Sequence, residues 1–112
     1  MQRDLAALLD IVLAARKALR FIESMDREQF YKDDKTQSAV MLQIIIIGEA
    51  VRRISPAFRM QHETLPWPMM MGMRNRLVHE YDKINLNLLW LTLRDDLPTL
   101  IGLIEPLIAE KD

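Results

Sequence analysis

The chain has 112 residues and a formal net charge of −1, from 15 Lys and Arg against 16 Asp and Glu; this suits one domain with one core and argues against a broad cationic surface for phosphates. Hydrophobic residues make up 50%, with only three glycines and no cysteine, the profile of an all-α chain without disulfides, thiolate nucleophiles or thiolate metal sites. Asp10 and Arg16 interrupt the apolar opening MQRDLAALLDIVLAARKAL, so neither a signal core nor a membrane span is expected there, and the cytoplasm is the default location.

Leu5, Leu8, Leu9, Val12, Leu19 and Ile22 recur at helical spacing and predict a first amphipathic helix over about 3–24. The polar stretch SMDREQFYKDDKT follows, and its Phe30 and Tyr31 predict a docked connection or a single helical turn. A second long helix is expected from Gln37 to Ile54. Val40, Ile44, Ile47, Val51 and Ile54 form one stripe, and Leu42, Ile45 and Ile46 extend it around most of the helix, so this element is buried on more than one side. In so small a chain the covers are the remaining helices and a second copy.

Pro56, Pro66 and Pro68 break the pattern in SPAFRMQHETLPWP, and a third helix is expected from Pro66 or Pro68 through MMMGMRNRLVHEY. Asn85 or Asn87 is a candidate cap for LNLLWLTLRDD. Asp95 or Asp96 with Pro98 opens a last helix to about Glu110, with Pro106 as a kink or a break. The expectation is an antiparallel bundle of about five helices, paired with a second copy.

The segment GMRNRLVHEY, residues 72–81, is too polar for a helix that only packs. At about 100° per residue, with Arg74 as zero, Tyr81, Asp82, Asn75 and His79 all fall on one half of the wheel, while Met70, Met73 and Leu77 lie opposite. Only the sector of Arg76 and Glu80 reads as freely solvated, so the polar arc is expected to face a cleft or a partner helix. Asn75 stands four residues before His79, a spacing that lets the amide fix the imidazole tautomer for acid or base work. Arg74 supplies a guanidinium for a phosphate, and a two-fold axis would bring two such sets into one groove. Metal-free RNA cleavage needs little more than a base for the 2′-hydroxyl, a charge for the phosphate and an acid for the leaving oxygen.

Plainer roles compete with these. His79 on a mixed helix is by spacing alone more often structural, and Arg74 has Glu49 as a candidate ion-pair partner. Glu49 itself sits in IIIIGEA, on a largely buried helix where a carboxylate needs a partner; Arg53, four residues on, is the local candidate. The MMMGM run reads as core filler or as a close helix approach at Gly72. His62 in its loop carries little information, HEYD is not the HExxH of a zinc site, and no metal or cofactor is expected.

The string RNRLVHEY, preceded by GM and LPWP, resembles the R-x4-H-x-Y motif of the HepT toxin family within the HEPN superfamily, with Arg74, His79 and Tyr81 at its three positions. SAVMLQIIIIGEAVRRIS is similar to that family's second helix, with IGEA as its core, and the resemblance runs over nearly the whole chain. It implies a homodimeric, metal-independent ribonuclease toxin of a type VII HEPN/MNT toxin–antitoxin system that acts on RNA, with tRNA as the favoured target. Its partner would be an MNT-type nucleotidyltransferase antitoxin. The resemblance assigns cleavage to Arg74 and His79, a supporting role to Asn75, and modification by AMP to Tyr81. Glu49 is retained as a supporting residue through its expected pairing. The alternative is a non-catalytic HEPN module that binds a nucleotide or presents Tyr81 to its partner.

Overall fold

The structure, a computed structural model, describes residues 2–111. Helix α1 (Gln2–Ile22) buries Leu8, Ile11, Ala15, Ala18 and Ile22 along one stripe, close to its expected limits. The polar connection after it holds α2 (Arg27–Tyr31), fixed by a reciprocal capping box: Asp26 Oδ1 accepts from the Gln29 backbone N–H, and the Gln29 side chain accepts from that of Asp26. Capping orients the turn so that Phe30 is fully buried, its ring 5.3 Å from that of Trp90.

Helix α3 (Asp34–Arg52) begins ahead of its apolar pattern, because Asp33 accepts from the Thr36 N–H at 2.9 Å and caps the extra turn. It runs antiparallel to α1. Asp10 pairs with Arg53 at 2.7 Å, and the buried Asp4 carboxylate accepts from the Ser55 N–H at 2.8 Å and its hydroxyl at 3.0 Å. The same hydroxyl accepts from the Phe58 N–H and so caps a helix that the pattern had left open, α4 (Pro56–Gln61). His62 ends α4 and lies 4.3 Å from the Phe58 ring.

Helix α5 (Trp67–Glu80) starts between the two prolines, as expected. Tyr81–Lys83 then forms a 3₁₀ turn, and Asn85, the first of the two candidate caps, accepts from the Leu88 N–H to open α6 (Leu86–Leu91). No new helix starts at Asp95 or Asp96, where one was expected. The chain instead widens into a π turn over Thr92–Asp96 and continues into α7 (Leu97–Lys111). Pro98 supplies the physical reason: it has no N–H for the Arg94 carbonyl and its ring crowds that oxygen, so the strain is taken up by a bond from the Leu97 N–H back to the Thr92 carbonyl. Pro106 likewise sits inside α7 without breaking it.

Helix α7 is antiparallel to α1, since Arg16 pairs with Glu105 while Leu19 and Ile22, later in α1, face Pro98 at the start of α7 and Leu93 in the π turn before it. Seven α-helical segments among the described residues thus replace the expected five, the additions being the capped turns α2 and α4. The result is the all-α antiparallel bundle of the HEPN-like class, with α1, α3 and α7 enclosing the core and α5 laid across α3.

Candidate functional site

What fixes α5 on α3 is Gly48. A methyl group at that position would overlap Cβ of Arg74 and stand 2.5 Å from its Cγ, so only a residue without a side chain lets the two helices meet here. Gly72, where a close helix approach is one of the two alternatives for the MMMGM run, has open space where its side chain would be. The crossing therefore belongs to IGEA and not to MMMGM, whose Met70 is buried and whose Met69, Met71 and Met73 are half-buried fillers.

Arg74 leaves this crossing with its stem covered and its guanidinium anchored. Its Nε donates to Glu49 Oε1 at 2.9 Å and its Nη2 lies 2.6 Å from the same oxygen, while Nη1 donates to Asn75 Oδ1 at 2.9 Å. The Arg74 side chain is 19% exposed and that of Glu49 45%, so the pair is half-screened and its value lies in orientation more than in stability. Arg52 adds a second, weaker cation at 3.7 Å from the other Glu49 oxygen. Of the two candidate partners of Glu49, Arg74 is thus the one that pairs with it, while Arg53 points to Asp10 on α1. Of the five N–H groups of a guanidinium these contacts use three, which leaves two for a ligand.

The other residues of the motif stand on the same helix but outside this network. Asn75 turns its carbonyl to Arg74, not to His79 as the four-residue spacing suggested, and His79 is exposed with no side-chain hydrogen bond among the described residues. Tyr81 departs from the wheel: α5 ends at Glu80, whose backbone at φ −129°, ψ 28° is no longer helical, so Tyr81 opens the 3₁₀ turn and stands 73% exposed. The structure thus joins Glu49, Arg74 and Asn75, and leaves His79 and Tyr81 as free groups toward the end of the same helix. Arg76 and Glu80 are exposed, as expected, and border a cleft between α5 and α6.

Among the described residues no group of three or more His, Asp or Glu side chains is placed to hold a metal ion, and no helix is long and apolar enough to cross a membrane.

Comparison with known proteins places these residues in a wider setting. The model of the family described as "Ribonuclease HepT-like" matches residues 11–107, a span that contains Glu49, Arg74, Asn75, His79 and Tyr81. A Thermococcus cleftensis protein named "Probable ribonuclease HepT" is 39% identical over 95 residues, 81% of this chain and 86% of that one. A Methanocaldococcus jannaschii protein named as a "Putative RNase" is 37% identical over 98 residues, 87% of this chain and 90% of its own length. No solved structure matches the chain. With an all-α bundle, the RNRLVHEY helix and a family match over most of its length, the chain belongs to the HepT-like ribonuclease family.

Proposed function

We propose that the protein is a metal-independent endoribonuclease toxin, that Arg74 and His79 cleave its RNA, and that two copies of the chain build one cleft. The observation that carries this reading is the held guanidinium: Glu49 and Asn75 fix Arg74 with two N–H groups to spare, on the helix that also presents an exposed His79. Such an arginine is preorganised for a phosphate whose negative charge grows in the transition state. In the proposed reaction the imidazole of one copy takes the proton of the 2′-hydroxyl, whose oxygen attacks phosphorus. The bond from phosphorus to the 5′ oxygen breaks, and that oxygen takes a proton from the imidazolium of the second copy. The products are a 2′,3′-cyclic phosphate and a 5′-hydroxyl, and the protons balance across the two histidines.

Pairing of two chains draws support from apolar side chains without cover. Leu9 and Leu13 on α1 and Leu42 on α3 stay exposed, on helices whose other faces are buried. We assign tRNA as the target class and Tyr81 as the residue that an MNT-type nucleotidyltransferase antitoxin modifies with AMP. The free phenol at the end of α5 suits an enzyme that must reach it, and a phosphodiester anion added there would oppose the RNA phosphate. A second reading follows from the same clasp: if Arg74 served only to bind Glu49, the domain would present Tyr81 without cutting RNA.

The test uses unmodified full-length protein with labelled tRNA and a metal chelator, beside folded Arg74→Ala and His79→Ala variants. Cleavage by the parent alone supports the proposal. Intact tRNA and intact total RNA after incubation with dimeric, unmodified parent would rule it out in favour of the second reading.

A further inference from the structure

On the side of α5 away from Glu49, a cleft of about 560 Å³ opens between that helix and α6. Its apolar lining includes the half-buried Met69 and Met73 and the buried Leu77 and Leu89, and its charged lining consists of Arg76, Glu80, Lys83 and Asp96. The π turn is part of its construction. Thr92 and Asp96, four residues apart in a turn wider than an α-helix, both line the cleft, whereas Asp95 is exposed. Asp96 is half-buried, and this desolvation, with Asp95 next to it as the lesser cause, pushes its pKa up. Arg76, Lys83, Glu80 and Asp96 take part in no ion pair among the described residues. They are charges in want of partners around an apolar slot.

Of the motif residues, His79 shares the cleft's side of α5, whereas Arg74 faces away from it. Gly72, Arg76 and His79 follow one another at i, i+4 and i+7 on α5, so they form a single row, and successive members stand about 5–6 Å apart on the helix surface. Gly72 and Arg76 line the cleft and His79 ends the row. With nothing within 4 Å of the place where a Gly72 side chain would stand, the row is open at that point. A strand of RNA held at His79 therefore has a neighbouring nucleotide within reach of the slot.

We infer that this cleft is a base-reading subsite that takes one guanosine nucleotide of the RNA, its base against Met69 and Met73, its Watson–Crick edge on Asp96 and its phosphate on Arg76 and Lys83. This inference rests on the ribonuclease reading given above. An ionised carboxylate offers two acceptors side by side. Guanine alone among the four bases presents two adjacent donors on that edge, N1–H and the N2 amine. Adenine and cytosine each set one donor beside a ring-nitrogen acceptor, and uracil has a single N–H between two carbonyls, so each of these leaves a carboxylate oxygen facing a lone pair. Glu80 is also an acceptor, but it is exposed, whereas Asp96 is half-buried, so an unmade hydrogen bond costs more there.

The experiment labels the methionine methyl groups with ¹³C in the full chain and titrates it with 5′-GMP, AMP, CMP and UMP by NMR. Met69 and Met73 are expected to shift with GMP and far less with the others, and Asp96→Asn is expected to weaken GMP roughly tenfold to a hundredfold. Should Asp96→Asn lose its native spectrum, Arg76→Ala and Lys83→Ala decide: they weaken GMP but leave guanosine, which lacks the phosphate, as it was. Equal shifts for all four nucleotides, shifts only at distant methionines such as Met60, or an unchanged GMP affinity in these variants would overturn the inference. Cleavage of a randomised single-stranded RNA separates the two readings. A parent that cuts it with no preference for guanosine loses the subsite and keeps the nuclease, and one that binds GMP at Met69 and Met73 but cuts no RNA keeps the guanine site and loses the nuclease.

Discussion

Arg74 lies directly against Gly48, and the absent side chain of one residue is the space occupied by the stem of the other. The carboxylate that holds the guanidinium, Glu49, is the next residue after that glycine, so one helix crossing sets both the position and the orientation of the charge.

Gly48→Ala is expected to force α5 away from α3 and to destabilise the protein by about 1–3 kcal/mol, the usual range for overpacking. Gly72→Ala, on the open side of α5, should instead stabilise it by about 0.5–1 kcal/mol, because the helix loses a flexible residue and nothing is displaced. Urea denaturation of the two variants beside the parent checks both signs. Equal effects would show that the crossing is not where Gly48 puts it.

Glu49→Gln keeps the shape of the clasp and removes its charge. Since the pair is partly exposed, stability should change by less than about 1 kcal/mol. RNA cleavage should fall by roughly ten- to a hundredfold, because Arg74 keeps its charge but loses its fixed direction. A fall in stability without a change in cleavage would make the clasp structural.

Asp4 and Asp10 make a second matched pair. Asp4, 5% exposed, accepts both the backbone N–H and the hydroxyl of Ser55, so Asp4→Ala leaves two donors without a partner and should cost about 1–3 kcal/mol. Asp10→Ala removes only a surface ion pair to Arg53 and should cost at most about 1 kcal/mol. Thermal unfolding of the two variants measures the difference.

The cap of α3 gives a pH signature. Asp33 has its pKa lowered, first by the hydrogen bond from the Thr36 backbone N–H. A depressed folded pKa contributes stability that is fully present above the unfolded value and is lost as pH falls through the folded one. The stability difference between parent and Asp33→Asn should therefore shrink as the pH is taken below the ordinary aspartate range. A difference that stayed constant with pH would detach the effect from this carboxylate.

RNA affinity should fall only shallowly with salt, since a chain of net charge −1 has few cations to release counterions at one cleft. Binding isotherms across a salt series give the slope directly, and a slope equivalent to many phosphate contacts would place the RNA on another surface.

The long helices were legible in the sequence because burial imposes a period, and α1, α3 and α5 lie close to where their apolar stripes put them. The family was legible because RNRLVHEY and IGEA are specific strings. What could not be read was contact between elements. Nothing local says that Asn75 turns to Arg74 and not to His79, that Arg53 prefers Asp10 to Glu49, or that Gly48 and not Gly72 is the crossing point. Pro98 misled for a different reason: its missing donor reads as a helix start, and only the cover of neighbouring helices makes a widened turn preferable to a break. Phe30 and Tyr31 made the single turn of α2 legible as one of two alternatives, whereas α4 hangs on one capping side chain, a signal too small to stand out from a polar loop.

The tight meeting of Gly48 and Arg74 also has an evolutionary reading. A larger residue at 48 leaves the two helices at their present spacing only if position 74 gives up its side chain altogether, since even alanine there keeps the Cβ that collides. Gly48→Ala should thus be rescued in folding by Arg74→Gly, and such a double variant would regain the bundle while losing the guanidinium for good. Drift at this crossing trades the charged clasp for side-chain volume on α3: the lineage that takes it keeps a well-folded domain, and the guanidinium can return only where position 48 is glycine again.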